Sequence, residues 1–339
     1  MKKLSKGIAG LAFFLALGIG GYLVGLQQGT NKTATTTTST QKHYTIGILQ
    51  YISHPSLDQI KKGIIDGLDK EGYTDGKNAT ITFLNGQGDQ SKLKTMSQQL
   101  VSENPDVLIP IATPAAKAIA NETTTIPIVA GAISDPVGSG LVTSVTEPTG
   151  NITGVQNKAP IADQIKLLKE LLPDAKTIGV VYSANEENSK SYVKAITEKS
   201  TEAGYEIKSY AIQSSNDLAQ TVQVMSQETD IIYVPQDNGI ASAFQTLMNE
   251  AKKANKPVFV SVDNMVEEGG LATVGQDQYQ LGIRTAKLVA KVLKQTSKTT
   301  LPFDVVSTGN VIVNEEKAKE LGITIPEDVL KDATIVGGD

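Results

Sequence analysis

Short apolar runs of strand length alternate with longer stretches in which apolar residues recur every third or fourth position, from Tyr44 almost to the end of the chain. Runs at 44–49, 80–84, 107–111 and 126–129 predict strands, and 56–70, 90–103 and 114–120 predict the helices between them. A second series follows, with strands at 177–182, 206–211, 231–234, 258–260 and 272–274. Its helices are 161–171, 189–203, 218–228 and 240–254. Residues 279–293 carry Leu281, Ala286, Leu288, Val289 and Val292 at helical spacing, and the tail offers a strand near 311–313, a helix 315–321 and a strand near 333–336. Strand–helix alternation produces parallel sheets covered by helices on both faces, so the fold class is α/β.

The two series echo each other. Ile126-Pro127-Ile128-Val129 leads through a polar turn to Gly140-Leu141, as Lys256-Pro257-Val258-Phe259 leads to Gly270-Leu271. Thr45-Ile46-Gly47 recurs as Thr177-Ile178-Gly179, Gly72-Tyr73 as Gly204-Tyr205, and Asp106-Val107-Leu108 as Asp230-Ile231-Ile232. Echoes in the same order point to two similar doubly wound lobes; shared strand–helix grammar without duplication gives two lobes as well. Crossings between lobes are expected at 151–157, 275–278 and 302–308. They divide the chain into a first lobe of 44–154 and 278–303 and a second of 155–277 and 304–339.

Ahead of the lobes stand Lys2, Lys3 and Lys6, then a run from Gly7 to Leu26 with no charge and no proline, about the length that crosses a bilayer as a helix. Lysines on its N-terminal side keep residues 1–6 in the cytoplasm and send the remainder outside. Gln27-Gln28-Gly29-Thr30 is a poor small-x-small cleavage site, so the expectation is an uncleaved membrane anchor rather than a removed signal, with an extracellular binding domain. Residues 27–43, containing Thr35-Thr36-Thr37-Thr38, read as a Thr/Ser-rich tether.

Composition narrows the chemistry. There is no cysteine, which removes thiol catalysis, disulfides, thiolate metal sites and the lipid-bearing cysteine of many exported binding proteins. His43 and His54 are the only histidines, too few for a His-rich metal site. A net charge of −5 with no Lys/Arg block argues against a nucleic-acid partner. Gly138-Ser139-Gly140 is not a nucleophile elbow, Gly86-Gln87-Gly88 lacks the third glycine of a dinucleotide fingerprint, and no triad forms around His54. A binding protein that is not an enzyme, with no metal or cofactor, is the expectation.

In open parallel sheets ligands bind beyond the carboxyl ends of the strands. Those ends carry Gln50, Tyr51 and His54, Asn85, Thr113-Pro114-Ala115, and Ser134-Asp135 in the first lobe. The second contributes Asn185 and Asn188, Asp237-Asn238, Asp263, and Gln276-Asp277. Side-chain donors and carboxylates abound there and Lys and Arg are absent, which suits a small polar ligand and not a phosphate. Thr113 before Pro114 is expected to cap a helix whose free amides face an anion such as a carboxylate, or to be a plain cap with no ligand. Asp135, Asp237 and Asp263 are candidates to pair a ligand ammonium, each with capping or a surface ion pair as its alternative. Tyr51, Tyr182, Tyr233 and Tyr279 near strand ends are candidates to stack on an apolar ligand group, or rim packing. Glu186-Glu187 and Glu267-Glu268 read as solvated surface.

Ile48-Leu49-Gln50-Tyr51, His54-Pro55, Ala112-Thr113-Pro114-Ala115-Ala116, Ser134-Asp135-Pro136-Val137-Gly138, Val234-Pro235-Gln236-Asp237-Asn238 and Gly269-Gly270-Leu271-Ala272-Thr273 resemble, in order, the ABC-transporter substrate-binding family that includes tryptophan/tyrosine-binding proteins. The resemblance spans 44–338. It implies two Rossmann-like lobes of the periplasmic binding protein type, closing on an amino acid, aromatic by preference, and delivering it to an ABC permease and its ATPase. A monomer is implied. The missing lipid-bearing cysteine departs from many relatives and leaves anchoring to the run from Gly7 to Leu26. The residues alone reach only a small polar, zwitterionic ligand. The alternatives are a ligand-sensing receptor domain of the same fold, or a binding protein for a neutral sugar-like or nucleoside-like molecule.

Overall fold

A computed structural model describes residues 42–295 and 300–337. The run from Gly7 to Leu26 and its tether lie outside the described residues, among which no helix is long and apolar enough to cross a membrane. The first half of the chain lays down β1 (Tyr44–Gln50), α1 (Pro55–Lys70), β2 (Ala79–Asn85), α2 (Gln90–Ser102), β3 (Val107–Ile111), α3 (Thr113–Ala120), β4 (Ile128–Ile133) and β5 (Ile152–Asn157). It then passes through α4 (Ile161–Leu171), β6 (Thr177–Ser183), α5 (Glu187–Glu202), β7 (Glu206–Ile212), α6 (Leu218–Glu228), β8 (Ile231–Val234), α7 (Asn238–Ser242), α8 (Phe244–Lys253), β9 (Val258–Val260), α9 (Asn264–Glu267) and β10 (Ala272–Gly275). The return segment is α10 (Gln278–Lys294), β11 (Asp304–Val306), β12 (Asn310–Asn314), α11 (Glu315–Glu320), α12 (Glu327–Asp332) and β13 (Thr334–Val336).

These elements build two sheets, a six-stranded one in the order β11-β5-β4-β3-β1-β2 and a seven-stranded one in the order β13-β12-β10-β9-β8-β6-β7. The first is parallel throughout, and in the second only the β10–β12 pairing is antiparallel. Because both faces are covered, the central strands β1, β3, β8 and β9 are apolar almost end to end, as parallel strands in α/β folds are. One core packs the first sheet against α1, α2, α3 and α10, and two cores flank the second.

The sequence echoes correspond to repeated hydrogen bonds. Asp106 Oδ2 accepts the Thr45 amide at 2.8 Å, and Asp230 Oδ2 accepts the Thr177 amide at 2.9 Å, so equivalent carboxylates tie the start of each lobe's first strand. Gly72 and Gly204 both end a helix with positive φ, 91° and 93°, and the tyrosine after each donates back to a helix carbonyl.

Three differences from the sequence expectations stand out, and the first two move the lobe boundary. Residues 152–157 were expected as a crossing and are instead β5, buried along its length between β4 and β11. Its glycine, Gly154, disguises it. A β-carbon there would strike the Ala130 backbone, so the close strand approach needs the residue that breaks the apolar run. Asp304–Val306, also expected as a crossing, is an edge strand of the first sheet. Both belong to the first lobe, and the crossings come a few residues later than 154/155 and 303/304, after Asn157 and after Val306; the third follows Gly275. The helix expected at 240–254 is two, broken at Ala243 (φ −119°, ψ 22°). The break lets Ala241 face the cleft while Phe244 and Leu247 enter the core.

Candidate functional site

The carboxyl ends of both sheets face each other across a cavity with about 470 Å³ of space free of protein atoms, counted out to its open mouth. Its first-lobe wall begins with His54, Ser56, Leu57 and Ile60 at the start of α1, where Pro55 occupies the first helical position. Ala112 and Thr113 follow at the start of α3, then Ala132 and Ser134 after β4 and Asn157 at the end of β5. The second lobe supplies Asn188 of α5, Gln236, Asp237, Asn238 and Ala241 around α7, and Val262 and Met265 beside α9. Gln278 enters from the third crossing.

Strain concentrates on the first-lobe wall. Ala112 stands at φ 74°, ψ 155°, a conformation that belongs almost to glycine alone, and Ala132 at φ 54°. Ala132 lies in the register shift between Ala130 and Ile133, a bulge that re-aims the chain toward Ser134. Ala112, not Thr113, is the N-cap of α3, and no side chain caps that helix. The expected threonine cap is thereby corrected. The first amides of α3 have no intrahelical acceptor and, with the positive end of the helix dipole, remain for whatever enters the cavity.

Four buried polar atoms in the wall have no partner among the described residues: His54 Nδ1, Asn157 Oδ1, Asn188 Oδ1 and Gln236 Oε1. Three are carbonyl-type acceptors, a set that suits a group with several N–H donors. Burial lowers His54 to about 4, against the raising effects of its Asn238 hydrogen bond and Asp58, so the imidazole is neutral. Its Nε2 stands 3.3 Å from Asn238 Oδ1 and donates to it across the cleft. Ser56 Oγ donates to Asn264 Oδ1 at 2.7 Å, a second contact between lobes. Among the described residues, no Lys or Arg lines the cavity.

Of the residues expected at the site, His54, Thr113, Ser134, Asn188, Asp237 and Asn238 line this cavity. The others stand outside it with local work. Gln50 donates to Ile52 O and Asp58 Oδ1, both at 2.8 Å, and Tyr51 OH donates to Gly88 O at 3.3 Å. Asn85 and Asp135 accept the Gln87 and Gly138 amides inside their own turns. Pro114 and Asn185 border a neighbouring groove, and Ala115 is buried in the first core. Asp277 caps α10 through the Gln280 amide at 2.9 Å. Asp263 lies beside the third crossing, pushed up to about 6 by burial. Gln276 clasps the hinge: its Nε2 donates to Lys158 O and Val306 O, each at 2.8 Å, joining all three crossings. None of Tyr51, Tyr182, Tyr233 and Tyr279 lines the cavity.

Several wall residues escaped the strand-end rule. Ser56, Leu57 and Ile60 sit on a helix start, Asn157 on the hidden β5, and Ala241, Val262 and Met265 look like any core residue in sequence. Glu186 was expected as solvated surface and is instead 1 % exposed behind the wall, whereas Glu187 beside it is exposed.

Comparison with known proteins places these features in a family context. The family described as ABC transporter substrate binding protein matches residues 45–336. A tyrosine-binding protein of Clostridioides difficile (strain R20291) is 35% identical over 320 residues, covering 94% of this chain and 92% of its own. The structure of an ABC domain from Streptococcus pneumonia in complex with L-Trp is 46% identical, covers 87% of this chain and 100% of its own, and superposes with a TM-score of 0.85. A ligand-free, open substrate-binding protein of Clostridium difficile, 33% identical with 87% and 100% coverage, superposes with a TM-score of 0.67.

Proposed function

Since the chain belongs to the ABC transporter substrate-binding protein family, we propose that it captures an aromatic amino acid, tryptophan or tyrosine, between its lobes outside the cell and delivers it to a permease. The observation that carries this reading is the division of the cavity wall into three chemistries. Asn157 Oδ1, Asn188 Oδ1 and Gln236 Oε1 lack partners, with the Asp237 carboxylate beside them, and offer acceptors to an ammonium. The start of α3 and Ser134 offer donors to a carboxylate. Leu57, Ile60, Val262 and Met265 supply an apolar wall, and a methionine sulfur is a favourable neighbour for an aromatic ring.

The higher structural agreement with the L-Trp complex than with the open, ligand-free relative supports reading the present lobes as closed. Direct contacts across the cleft, His54 to Asn238 and Ser56 to Asn264, support it too. A ligand that touches both walls favours the closed state by its differential affinity for that state.

Calorimetry on the protein with each of the twenty amino acids, a pentose and a nucleoside tests the proposal. Tryptophan or tyrosine should bind with a Kd of about a micromolar or tighter, roughly −8 kcal/mol. Tryptamine and N-acetyl-tryptophan, which each lack one of the two charges, should bind about 100-fold more weakly or worse. Binding of the sugar or nucleoside with none of the aromatic amino acids would overturn it.

A further inference from the structure

Glu186 is a carboxylic acid 1 % exposed, in the loop that starts α5, and every group that reaches it is a donor. Its Oε1 accepts the Gly239 amide at 2.9 Å. Its Oε2 accepts Asn238 Nδ2 at 2.5 Å, Asn188 Nδ2 at 3.3 Å and the Asn238 amide at 3.4 Å. Both asparagines line the cavity. Each side-chain amide has one donor end and one acceptor end, so Glu186, acceptor-only once ionised, favours the orientation in which both amide nitrogens turn to it. For Asn188 the Gln236 carbonyl, 3.2 Å from Nδ2, acts in the same sense. With its nitrogen turned to Glu186, Asn188 keeps its Oδ1 unpartnered in the wall. With its nitrogen turned the same way, Asn238 offers its Oδ1 to His54 Nε2 on the opposite lobe.

We propose that Glu186 is a positioning residue for recognition of the ligand's ammonium: it sets the orientation of Asn188 and Asn238, one as an acceptor for the ligand and one as the acceptor of the interlobe contact. This rests on the amino-acid reading above. A glutamine at 186 breaks the arrangement without changing its shape. Its own NH2 would face either the Gly239 amide or the two asparagine NH2 groups, so in both orientations a donor meets a donor. Relief comes from an asparagine turning or from the loss of the Gly239 bond.

The position also links capture to protons. Burial first, and the neighbouring Asp237 second, push Glu186 up to about 8. Among the other ionisable groups near the cavity, Asp263 is pushed up to about 6 by burial and contributes only at the low end of the range, where an Asp263→Asn variant separates its effect. His54 is already neutral, burial and the nearby acids raise Tyr51 further above its ordinary value, and Glu187 and Lys190 form an exposed pair on α5. A cation arriving beside Glu186 favours its ionised form, so the protein with ligand bound holds fewer protons than the protein without it. Affinity then rises with pH up to about 8 and levels off above it.

The test is calorimetry with whichever of L-tyrosine and L-tryptophan binds more tightly, from pH 6 to 9 and in two buffers of different ionisation heat. Wild type should release protons near pH 7 and gain up to about tenfold in affinity per pH unit below pH 8. Glu186→Gln should bind at least about tenfold more weakly at pH 8 and show neither proton release nor the rise with pH. Two results overturn the proposal: wild type that binds with no proton release in this range, or a Glu186→Gln variant that keeps the wild-type pH profile. The first needs no variant to fold. A wild-type protein that binds no aromatic amino acid instead overturns the functional reading beneath it.

Discussion

Asp237→Ala is expected to lose about 3 kcal/mol of stability, and its weakened ligand binding follows from that loss. In sequence, Asp237 is the first candidate to meet the ligand ammonium, because it follows β8 and precedes a helix. The structure gives its carboxylate three donors already: the Ser183 amide at 2.6 Å, Ser183 Oγ at 2.7 Å and the Ile240 amide at 2.8 Å. It thus joins the end of β6 to the first turn of α7, and it is 3 % exposed. Deleting a helix cap costs about 1 kcal/mol, and each buried donor left without a partner costs about 1–3. The same loop carries Gln236 and Asn238 into the cavity wall, so the site loses shape with the cap. Asp237→Asn, which keeps one acceptor oxygen, should lie between wild type and alanine. Denaturant unfolding of the three proteins measures this. An alanine variant as stable as wild type, with binding abolished, would return Asp237 to a role in pairing the ligand alone.

The second large effect is on affinity. Asn188→Leu should weaken binding of the aromatic amino acid by about 2–3 kcal/mol, roughly 30- to 150-fold. Leucine has asparagine's branching and number of heavy atoms, with bulkier ends, but offers the ammonium no acceptor, and an ammonium taken from water needs each of its hydrogens met. Asn188 Oδ1 has no partner among the described residues, but Nδ2 donates to Glu186 Oε2 and Gln236 O. The variant should therefore lose stability as well, and binding is compared at a temperature where unfolding shows both proteins folded. Asn157→Leu, on the opposite lobe, should act similarly through its own unpartnered Oδ1. Titration calorimetry decides: an Asn188→Leu protein binding within about twofold of wild type would remove the amide oxygens from the account.

The two-lobed plan was legible because the apolar runs of buried parallel strands are hard to mistake, and because Asp106 and Asp230 repeat one hydrogen bond in each lobe. The strand-end rule reached His54, Thr113, Ser134, Asn188, Asp237 and Asn238 for the same reason: topology alone puts those positions at the cleft. It overreached where a polar residue serves its own turn, as Asn85, Asp135 and Asp277 do, since local capping and ligand binding draw on the same side chains. Gln276 was placed at the right crossing, yet its amide is spent on holding the crossings together. Glu186 was read as surface because two adjacent glutamates look solvent-facing, and only the donors at the start of α7, Asn238 and Gly239, hold one of them inward. The apolar wall from Leu57 to Met265 had no signal of its own, because a ligand-facing aliphatic side chain and a core-facing one are the same in sequence.

Small-angle scattering of the protein, free and saturated with the aromatic amino acid that binds most tightly, tests most directly whether the ligand is held between the lobes. The wall is shared between them, with Asn157 and Thr113 on one side and Asn188 and Gln236 on the other, so both halves of the ligand's chemistry are met only when the cleft is shut. The account predicts a radius of gyration that falls on saturation to the value of the closed arrangement described here. A radius unchanged while calorimetry shows the ligand bound would contradict it and leave a rigid pocket within a single lobe.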